Sequence, residues 1–127
     1  MYNILIVDDE EVLRMLISDT LEEIDNANID IAENGVQALT KLENQEYDLM
    51  LLDYMMPEIT GLELLNRLSP VQKNRMKIIM LTAKAQETDR LKAMEAGARY
   101  FVPKPFSPLE LLQLVEEILY GELSNQE

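Results

Sequence analysis

Residues 47–57 read YDLMLLDYMMP, and the rest of the chain is organised around this segment. Leu49 to Leu52 form an unbroken apolar run, which is typical of a strand buried on both faces of a parallel sheet, although periodicity alone also allows a buried helix. Pro57 lacks a backbone N–H and cannot continue a central strand. Asp53 is therefore predicted to lie where the strand ends and a loop begins. Because an unpaired buried carboxylate is costly, other parts of the chain have to stabilise it.

The composition describes one folded domain with a strong acidic excess. The chain has 127 residues, of which 47% are hydrophobic, enough for a substantial core. Lys and Arg number 11 against 24 Asp and Glu, and the net charge of −13 argues against direct binding of nucleic acid or anionic lipid. The sequence has no Cys and no His, which excludes disulfides, thiolate metal sites and imidazole catalysis. It has neither a signal peptide nor an apolar span of about 18 residues, so we expect a cytoplasmic protein.

Hydrophobic patterning predicts five strands and five helices in alternation. Short β-branched and apolar runs indicate strands at Ile4–Val7, Ile29–Ala32, Leu49–Leu52, Lys77–Leu81 and Arg99–Val102. Apolar residues three and four positions apart indicate helices. The predicted helices cover Leu13–Ile24, Val36–Leu42, a short segment from Gly61, about Glu87–Glu95 and about Pro108–Leu119. Asn34 is predicted to cap the second helix, Ser69 and Pro70 to end the third, and Gly97 to cap the C-terminus of the fourth. The fifth helix is predicted to end before Gly121.

This alternation predicts a doubly wound α/β fold with a parallel sheet and helices on both faces. The strands that begin at Ile4, Leu49 and Lys77 are the most apolar and are predicted to be central. The strand order 2-1-3-4-5, the flavodoxin-like arrangement, satisfies this condition. We expect one domain over residues 1–121 and a C-terminal tail over residues 122–127. The helix at about Glu87–Glu95 has little apolar surface and is expected to lie loosely on the sheet.

Polar side chains follow four of the predicted strands at the edge where ligands bind in folds of this class. Asp8 and Asp9 follow the first strand, Asp53 the third, Thr82 the fourth and Lys104 the fifth. Clustered carboxylates repel one another unless a cation balances them, and Mg²⁺ is the natural choice because it prefers oxygen ligands. A divalent cation, an ammonium and a hydroxyl around one carboxylate suit a transferring phosphoryl group.

Each of these residues taken singly has an ordinary structural interpretation. Asp9 alone is best interpreted as an N-terminal helix cap. Thr82 alone is a strand-end threonine, Lys104 alone a solvated lysine, and Met55 and Met56 are better interpreted as loop packing than as ligands. The combination of residues, rather than any one of them, points to a phosphoryl site.

From Tyr2 to about Leu119 the chain resembles the receiver domain of bacterial two-component response regulators, similar to a single-domain chemotaxis protein. The motifs that carry the resemblance are ILIVDDE at residues 4–10, DYMMPEITG at 53–61, LTA at 81–83 and KPF at 104–106. Four such motifs in the right order at the right strand ends form a specific pattern.

The resemblance implies a set of roles around Asp53, which would accept a phosphoryl group from a phosphohistidine. The partner would be a sensor histidine kinase or a histidine phosphotransfer protein, and the domain would not be an enzyme acting on other substrates. Asp9, Asp53 and the backbone carbonyl of Met55 would ligate Mg²⁺, with Asp8 holding it through water. Lys104, Thr82 and the backbone amide of Ala83 would bind the phosphoryl oxygens. The Lys104–Pro105 peptide resembles a cis bond of the family.

The same resemblance implies a conformational switch. Thr82 would move inward together with Phe101, which stands where the family often has a tyrosine; without a hydroxyl, Phe101 would couple by steric contact. The fourth and fifth predicted helices and the fifth strand would then signal to a downstream protein, an output domain or a second copy of the chain. Two variable positions beside the site are expected to matter: Met55 would lengthen the phosphoryl lifetime, and Lys84 would contact the phosphoryl group.

Three other interpretations compete. A flavodoxin needs hydroxyls and glycine in its first loop, whereas acidic residues 8–11 would repel a phosphate. A magnesium-dependent aspartyl phosphatase normally carries a second Asp two residues after the nucleophile, where this chain has Met55. The third alternative, a binding module that is never phosphorylated, stays open, as does the choice between a free-standing regulator and part of a longer one.

Overall fold

The sheet has five parallel strands in the order β2-β1-β3-β4-β5, as predicted. This computed structural model describes residues 1–83 and 86–124, with the backbone alone for 122–124. The strands are β1 (Tyr2–Val7), β2 (Ala27–Ala32), β3 (Leu49–Asp53), β4 (Lys77–Thr82) and β5 (Tyr100–Pro103). The helices are α1 (Glu11–Leu21), α2 (Gly35–Asn44), α3 (Gly61–Arg67), α4 (Pro70–Arg75), α5 (Glu87–Ala96) and α6 (Pro108–Ser124).

The sheet separates two apolar layers, which explains why β3 is apolar at every position before Asp53. Successive strand residues point to opposite faces. Leu49 and Leu51 pack into the layer that α1 and α6 cover. Met50 and Leu52 pack into the layer on the other face, with residues of α2, α3 and α5. All four side chains are fully buried, so the interpretation of this run as a central strand is confirmed.

Several predicted helix ends are confirmed by their hydrogen bonds and backbone angles. The Asn34 side chain caps α2 by accepting the backbone N–H of Gln37 at 2.8 Å. Gly97 ends α5 with φ of +124°, a conformation that favours glycine. The prediction that α5 has a thin apolar face is also confirmed. Its buried residues are alanines, and Leu91 and Met94 are 50% and 38% exposed.

Two sequence predictions about helices were wrong, and the alternative interpretation of Asp9 as a helix cap is excluded. Ser69 and Pro70 end α3 but also begin a sixth helix, α4, because Ser69 caps it and proline at the first helical position loses no intrahelical hydrogen bond. Helix α6 continues through Gly121 to Ser124, past the end that was predicted before Gly121. Asp9 does not cap α1: the N-cap is Glu10, whose side chain makes no capping bond. Residues 125–127 of the predicted tail lie outside the described residues.

A polar network ties the edge strand β2 to α2 and to the start of β3. The Tyr47 hydroxyl donates to Asp30 Oδ2 at 2.6 Å, and Lys41 Nζ lies 2.9 Å from Asp30 Oδ1. Burial by itself would raise the pKa of Asp30, but the Tyr47 hydroxyl and the Lys41 ammonium outweigh it and hold that pKa below its ordinary value. The network therefore stabilises the fold while Asp30 is ionised.

Replacing Tyr47 with Phe is expected to lower the free energy of unfolding by about 1 kcal/mol at pH 7, because Asp30 loses a charge-assisted hydrogen bond. A carboxyl group with a lowered folded pKa stabilises above its unfolded pKa and ceases to do so as the pH falls, so the loss should shrink below about pH 4. Urea denaturation at pH 7 and below about pH 4 measures the change in the free energy of unfolding. Tyr100→Phe is the control, since its hydroxyl has no hydrogen-bond partner in residues 1–83 and 86–124. Equal effects of the two variants would contradict the prediction.

In the part of the chain that the structure describes, every helix is too short or too polar to cross a bilayer.

Candidate functional site

The predicted polar residues meet at the carboxyl edge of the sheet. Asp8 follows β1, Asp53 is the last residue of β3, Thr82 is the last residue of β4, and Lys104 follows β5. Because all these strands are parallel, their C-terminal ends share one edge. Asp8, Asp53 and Thr82 are buried, while Lys104 is partly exposed.

Lys104 bridges the two buried carboxylates. Its Nζ lies 3.3 Å from Asp8 Oδ2 and 3.2 Å from Asp53 Oδ1. The Lys104 backbone N–H donates to the Thr82 carbonyl at 2.7 Å, which fixes the lysine to the end of β4. The Lys104–Pro105 peptide is cis, as the resemblance implied. Lys104 is thus held across the site, which excludes the alternative interpretation as a solvated lysine.

The three aspartates form a cluster with the chemistry of a divalent-cation site. One carboxylate oxygen from each of Asp8, Asp9 and Asp53 lies within 4.8 Å of the other two. Asp9 is exposed and reaches the cluster from the solvent side. Among residues 1–83 and 86–124, three carboxylates face the one ammonium of Lys104, which leaves an excess of negative charge there. All the donors are hard oxygens, so these residues fit a hard cation. The prediction that these side chains converge is confirmed.

The site perturbs the pKa of Asp8, Asp53 and Lys104. Burial, followed by the charge of Asp8, raises the pKa of Asp53 to about 6, although Lys104 and the Met55 N–H act against this rise. Burial also raises the pKa of Asp8. Burial would lower the pKa of Lys104, but the charges of Asp8 and Asp53 outweigh it and raise that pKa. The carboxylates are therefore crowded at neutral pH, and the ammonium remains charged.

The loop after β3 orients Asp53 through its backbone. The Met55 N–H donates to Asp53 Oδ1 at 3.3 Å, so this oxygen accepts from both Met55 and Lys104. Met56 is buried in the core whereas Met55 is 46% exposed, so the interpretation as loop packing holds for Met56 alone. In residues 1–83 and 86–124, no donor reaches the other oxygen, Asp53 Oδ2. Among the described residues, the donors to Asp53 are therefore gathered on Oδ1.

The two residues expected to form the switch lie on neighbouring strands. Phe101, on β5, pairs with Met80 and packs at the edge of the apolar layer that α5 covers. Thr82 is fully buried at the end of β4. Lys84, which was expected to contact a phosphoryl group, lies outside the described residues.

Two contacts near the site were missed from the sequence. Arg14, on α1, is only 8% exposed, and its Nη1 donates to the Asp8 carbonyl at 2.8 Å. A signal for it existed, because Arg14 falls on the buried helical face with Ile17 and Leu21. The Tyr54 hydroxyl donates to Asp89 Oδ1 at 3.3 Å, joining the loop after Asp53 to α5. No sequence signal predicts this second contact, because it depends on how α5 packs.

Comparison with known proteins gives a consistent result. The family model described as the response regulator receiver domain matches residues 4–116. The chain is 44% identical over 116 residues to the transcriptional regulatory protein ResD of Bacillus subtilis, covering 91% of this chain and 47% of that protein. It therefore spans about half the length of this curated relative.

Solved structures agree with the family match. A CheY-like response regulator receiver domain protein from Methanospirillum hungatei is 31% identical, with a TM-score of 0.85 and 98% of each chain covered. The response regulator TrrA from Thermotoga maritima, solved in complex with Mg²⁺ and BeF, is 39% identical, with a TM-score of 0.80, 93% of this chain and 99% of that chain covered. The sheet order, the strand-end residues and the match over residues 4–116 agree: this chain belongs to the receiver domain family of two-component response regulators.

Proposed function

We propose that this domain accepts a phosphoryl group on Asp53 from the phosphohistidine of a sensor histidine kinase or a histidine phosphotransfer protein, in a reaction that depends on Mg²⁺. The observation that carries the proposal is the position of Lys104 Nζ, within 3.3 Å of both Asp8 and Asp53, two of the three clustered carboxylates. A partly exposed lysine held between two carboxylates is suited to exchange one of them for a phosphoryl oxygen.

Asp53 would act through Oδ2, since Oδ1 accepts from Lys104 and from the Met55 N–H. An O–P bond forms while the P–N bond of phosphohistidine breaks, and the imidazole nitrogen keeps the electron pair and takes up a proton. With its pKa at about 6, Asp53 is mostly ionised at pH 7 and is nucleophilic. The product is an acyl phosphate on Asp53.

The surrounding residues would bind the transferred group. Asp9, Asp53 and the Met55 carbonyl would hold Mg²⁺ directly and Asp8 through water, and the bound ion would neutralise charge on the phosphoryl oxygens. Lys104, Thr82 and the backbone amide of Ala83 would bind those oxygens. The Mg²⁺ in the Thermotoga maritima structure supports the choice of metal. The domain would promote its own phosphorylation and dephosphorylation and act on no other substrate.

The phosphoryl group would shift the domain between two conformations. It adds about 1.5 to 2 negative charges and new acceptor oxygens, which an inward-moving Thr82 can satisfy. Phe101 would follow by steric contact. Helix α5 buries only two alanines against the rest of the domain among its described residues, and few buried apolar contacts are typical of an element that moves, which supports α5 as the mobile element. The surface of α5, β5 and α6 would then contact a downstream protein, an output domain or a second phosphorylated copy, and ResD's description as a transcriptional regulatory protein supports an output of that kind.

The test is intact mass after incubation with Mg²⁺ and acetyl phosphate. We expect one added phosphoryl group on the parent protein, none on Asp53→Asn and none with a chelator. Asp19→Asn, which changes an exposed carboxylate on α1, is the matched control and should be labelled like the parent. No labelling under any condition would favour the binding-module interpretation, and labelling of Asp53→Asn would place the acceptor elsewhere.

Replacing Met55 with Asn is expected to shorten the phosphoryl lifetime several-fold. Met55 is exposed beside Asp53, and its thioether orients a water poorly, whereas an amide both donates and accepts. Loss of phosphate is followed by mass after the phosphodonor is removed, with Met15→Asn as the control for an exposed methionine on α1. A variant that loses phosphate no faster than the parent would contradict the prediction.

A further inference from the structure

We propose that Arg14 is a positioning residue for the cation site: it holds the peptide unit between Asp8 and Asp9 and thereby places the Asp9 carboxylate. This inference rests on the magnesium site of the proposed function. It concerns a side chain one turn inside α1 rather than a ligand.

Arg14 occupies a position where an unpaired guanidinium would be costly. It is 8% exposed, on the same face of α1 as the buried Ile17 and Leu21. Burial of a charged group is tolerated when its donors are satisfied. Nη1 donates to the Asp8 carbonyl oxygen at 2.8 Å, and Nη2 lies 3.7 Å from Glu33 Oε1. The guanidinium therefore links α1 to the ends of β1 and β2.

The carbonyl that Arg14 binds belongs to the peptide unit that carries Asp9. The C=O of Asp8 and the N–H of Asp9 lie in one rigid plane, so fixing the carbonyl sets the direction in which the chain enters Asp9. The Asp8 side chain has other anchors, since it accepts the Glu10 N–H at 2.8 Å and lies 3.3 Å from Lys104 Nζ. Arg14 is therefore not needed to hold the Asp8 carboxylate.

Asp9 has no comparable anchor. Its side chain is exposed and makes no hydrogen bond or ion pair with residues 1–83 or 86–124. The Glu10 side chain does not cap α1, so the far end of the turn is held through the Glu10 N–H, which donates to Asp8 Oδ1. The backbone thus sets where the Asp9 carboxylate lies. Two side-chain contacts hold this backbone: the Asp8 carboxylate accepts the Glu10 N–H after Asp9, and Arg14 binds the Asp8 carbonyl before it.

Charge and geometry predict opposite effects when Arg14 is removed. Arg14 is a cation beside a cation site, so deleting its charge alone would tighten Mg²⁺ binding. Loss of the fixed peptide would instead weaken binding, because residues that orient metal ligands typically change affinity by about 10- to 100-fold when they are replaced. The sign of the change separates the two effects.

The test is the dissociation constant for Mg²⁺ alone, measured by isothermal titration calorimetry on the parent, Arg14→Met and Arg14→Lys. Methionine keeps the unbranched stem and removes the charge and donors, whereas lysine keeps the charge and one donor. We expect about tenfold weaker binding for Arg14→Met and intermediate binding for Arg14→Lys. Arg90→Met is the control, because Arg90 pairs with Glu87 on α5 and is exposed there, and it should bind like the parent. If Arg14→Met does not fold, Arg14→Lys carries the test by itself.

A second comparison asks whether Arg14 acts through Asp9. In an Asp9→Asn background the carboxylate that Arg14 positions is absent, so adding Arg14→Lys should change the dissociation constant by less than about twofold. An equally large loss in both backgrounds would overturn the proposal and indicate a general structural role. Unchanged or tighter binding by the Arg14 variants, with normal binding by the parent, would overturn this inference and leave the proposed function intact. A parent protein that binds no Mg²⁺ would overturn both.

Discussion

At pH 7 and without divalent cations, Asp53→Asn is expected to raise the free energy of unfolding by about 2 kcal/mol, although it removes the proposed phosphoacceptor. Asp53 is 3% exposed, and burial and the nearby Asp8 raise its pKa from 3.8 to about 6. A pKa that differs by one between the folded and unfolded states corresponds to about 1.4 kcal/mol, and the loss of contacts to Lys104 offsets part of the gain. Asparagine keeps the shape of the side chain and removes the crowded charge.

The raised pKa of Asp53 also predicts how the stability difference between Asp53→Asn and the parent changes with pH. Between about pH 4 and pH 6 the folded protein binds more protons at Asp53 than the unfolded chain, so the contribution of Asp53 to stability falls as the pH rises. The variant lacks that carboxyl group. The difference in free energy of unfolding between the variant and the parent should therefore increase as the pH rises from about 4 to 6 and should be near zero at about pH 3.5. Urea denaturation between pH 3.5 and pH 7.5 with a chelator measures it, and Asp19→Asn is the control. A variant no more stable than the parent at pH 7 would contradict the prediction.

Gly61→Ala is expected to lower the free energy of unfolding by about 3 kcal/mol and to impair phosphoryl acceptance as well. A Cβ at position 61 would lie 2.5 Å from the Asp53 carbonyl oxygen and 3.1 Å from the Tyr54 Cα. These backbone atoms cannot easily withdraw, because β3 pairs with β4 and the Tyr54 N–H donates to the Leu81 carbonyl at 2.8 Å. Relief of this strain would require movement of either α3 or β3, the strand that ends at Asp53.

Gly121→Ala is the matched control for this substitution. Gly121 lies within α6, and a Cβ there would meet nothing within 4 Å. Alanine is expected to stabilise this helix by about 0.5 to 1 kcal/mol, since glycine is a poor helix former. Urea denaturation of both variants and phosphoryl incorporation from acetyl phosphate give the two readouts. If the two variants have the same effect, the close approach of Gly61 to β3 does not constrain the fold.

Much of the fold could be predicted because each element carries its own local signal. The apolar run before Asp53 indicated a central strand, and regular alternation restricted the topology to a doubly wound sheet, which is confirmed. Once the strands are parallel, residues that follow them must share one edge, so the convergence of Asp8, Asp53 and Lys104 was also predictable. The roles of these residues in phosphoryl transfer stay predictions.

The errors arose where two local signals compete. Ser69 and Pro70 both end one helix and begin another, and nothing local reveals that α4 follows. Asp9 has the residue type of a helix cap, but the Asp8 carboxylate takes the Glu10 N–H and the turn leaves Asp9 facing solvent. In both places the outcome depends on neighbours that the sequence pattern does not specify.

The sequence by itself determined the order of the elements, the layers they form and the edge where the charged residues gather, because hydrophobic periodicity and chain connectivity are local properties. Only the tertiary structure decided how strongly the site perturbs the pKa of Asp53, that Lys104 bridges Asp8 and Asp53, and that Arg14 lies beneath the Asp8 carbonyl. These features depend on burial and on distances between residues far apart in the chain, which exist only when the helices have packed against the sheet.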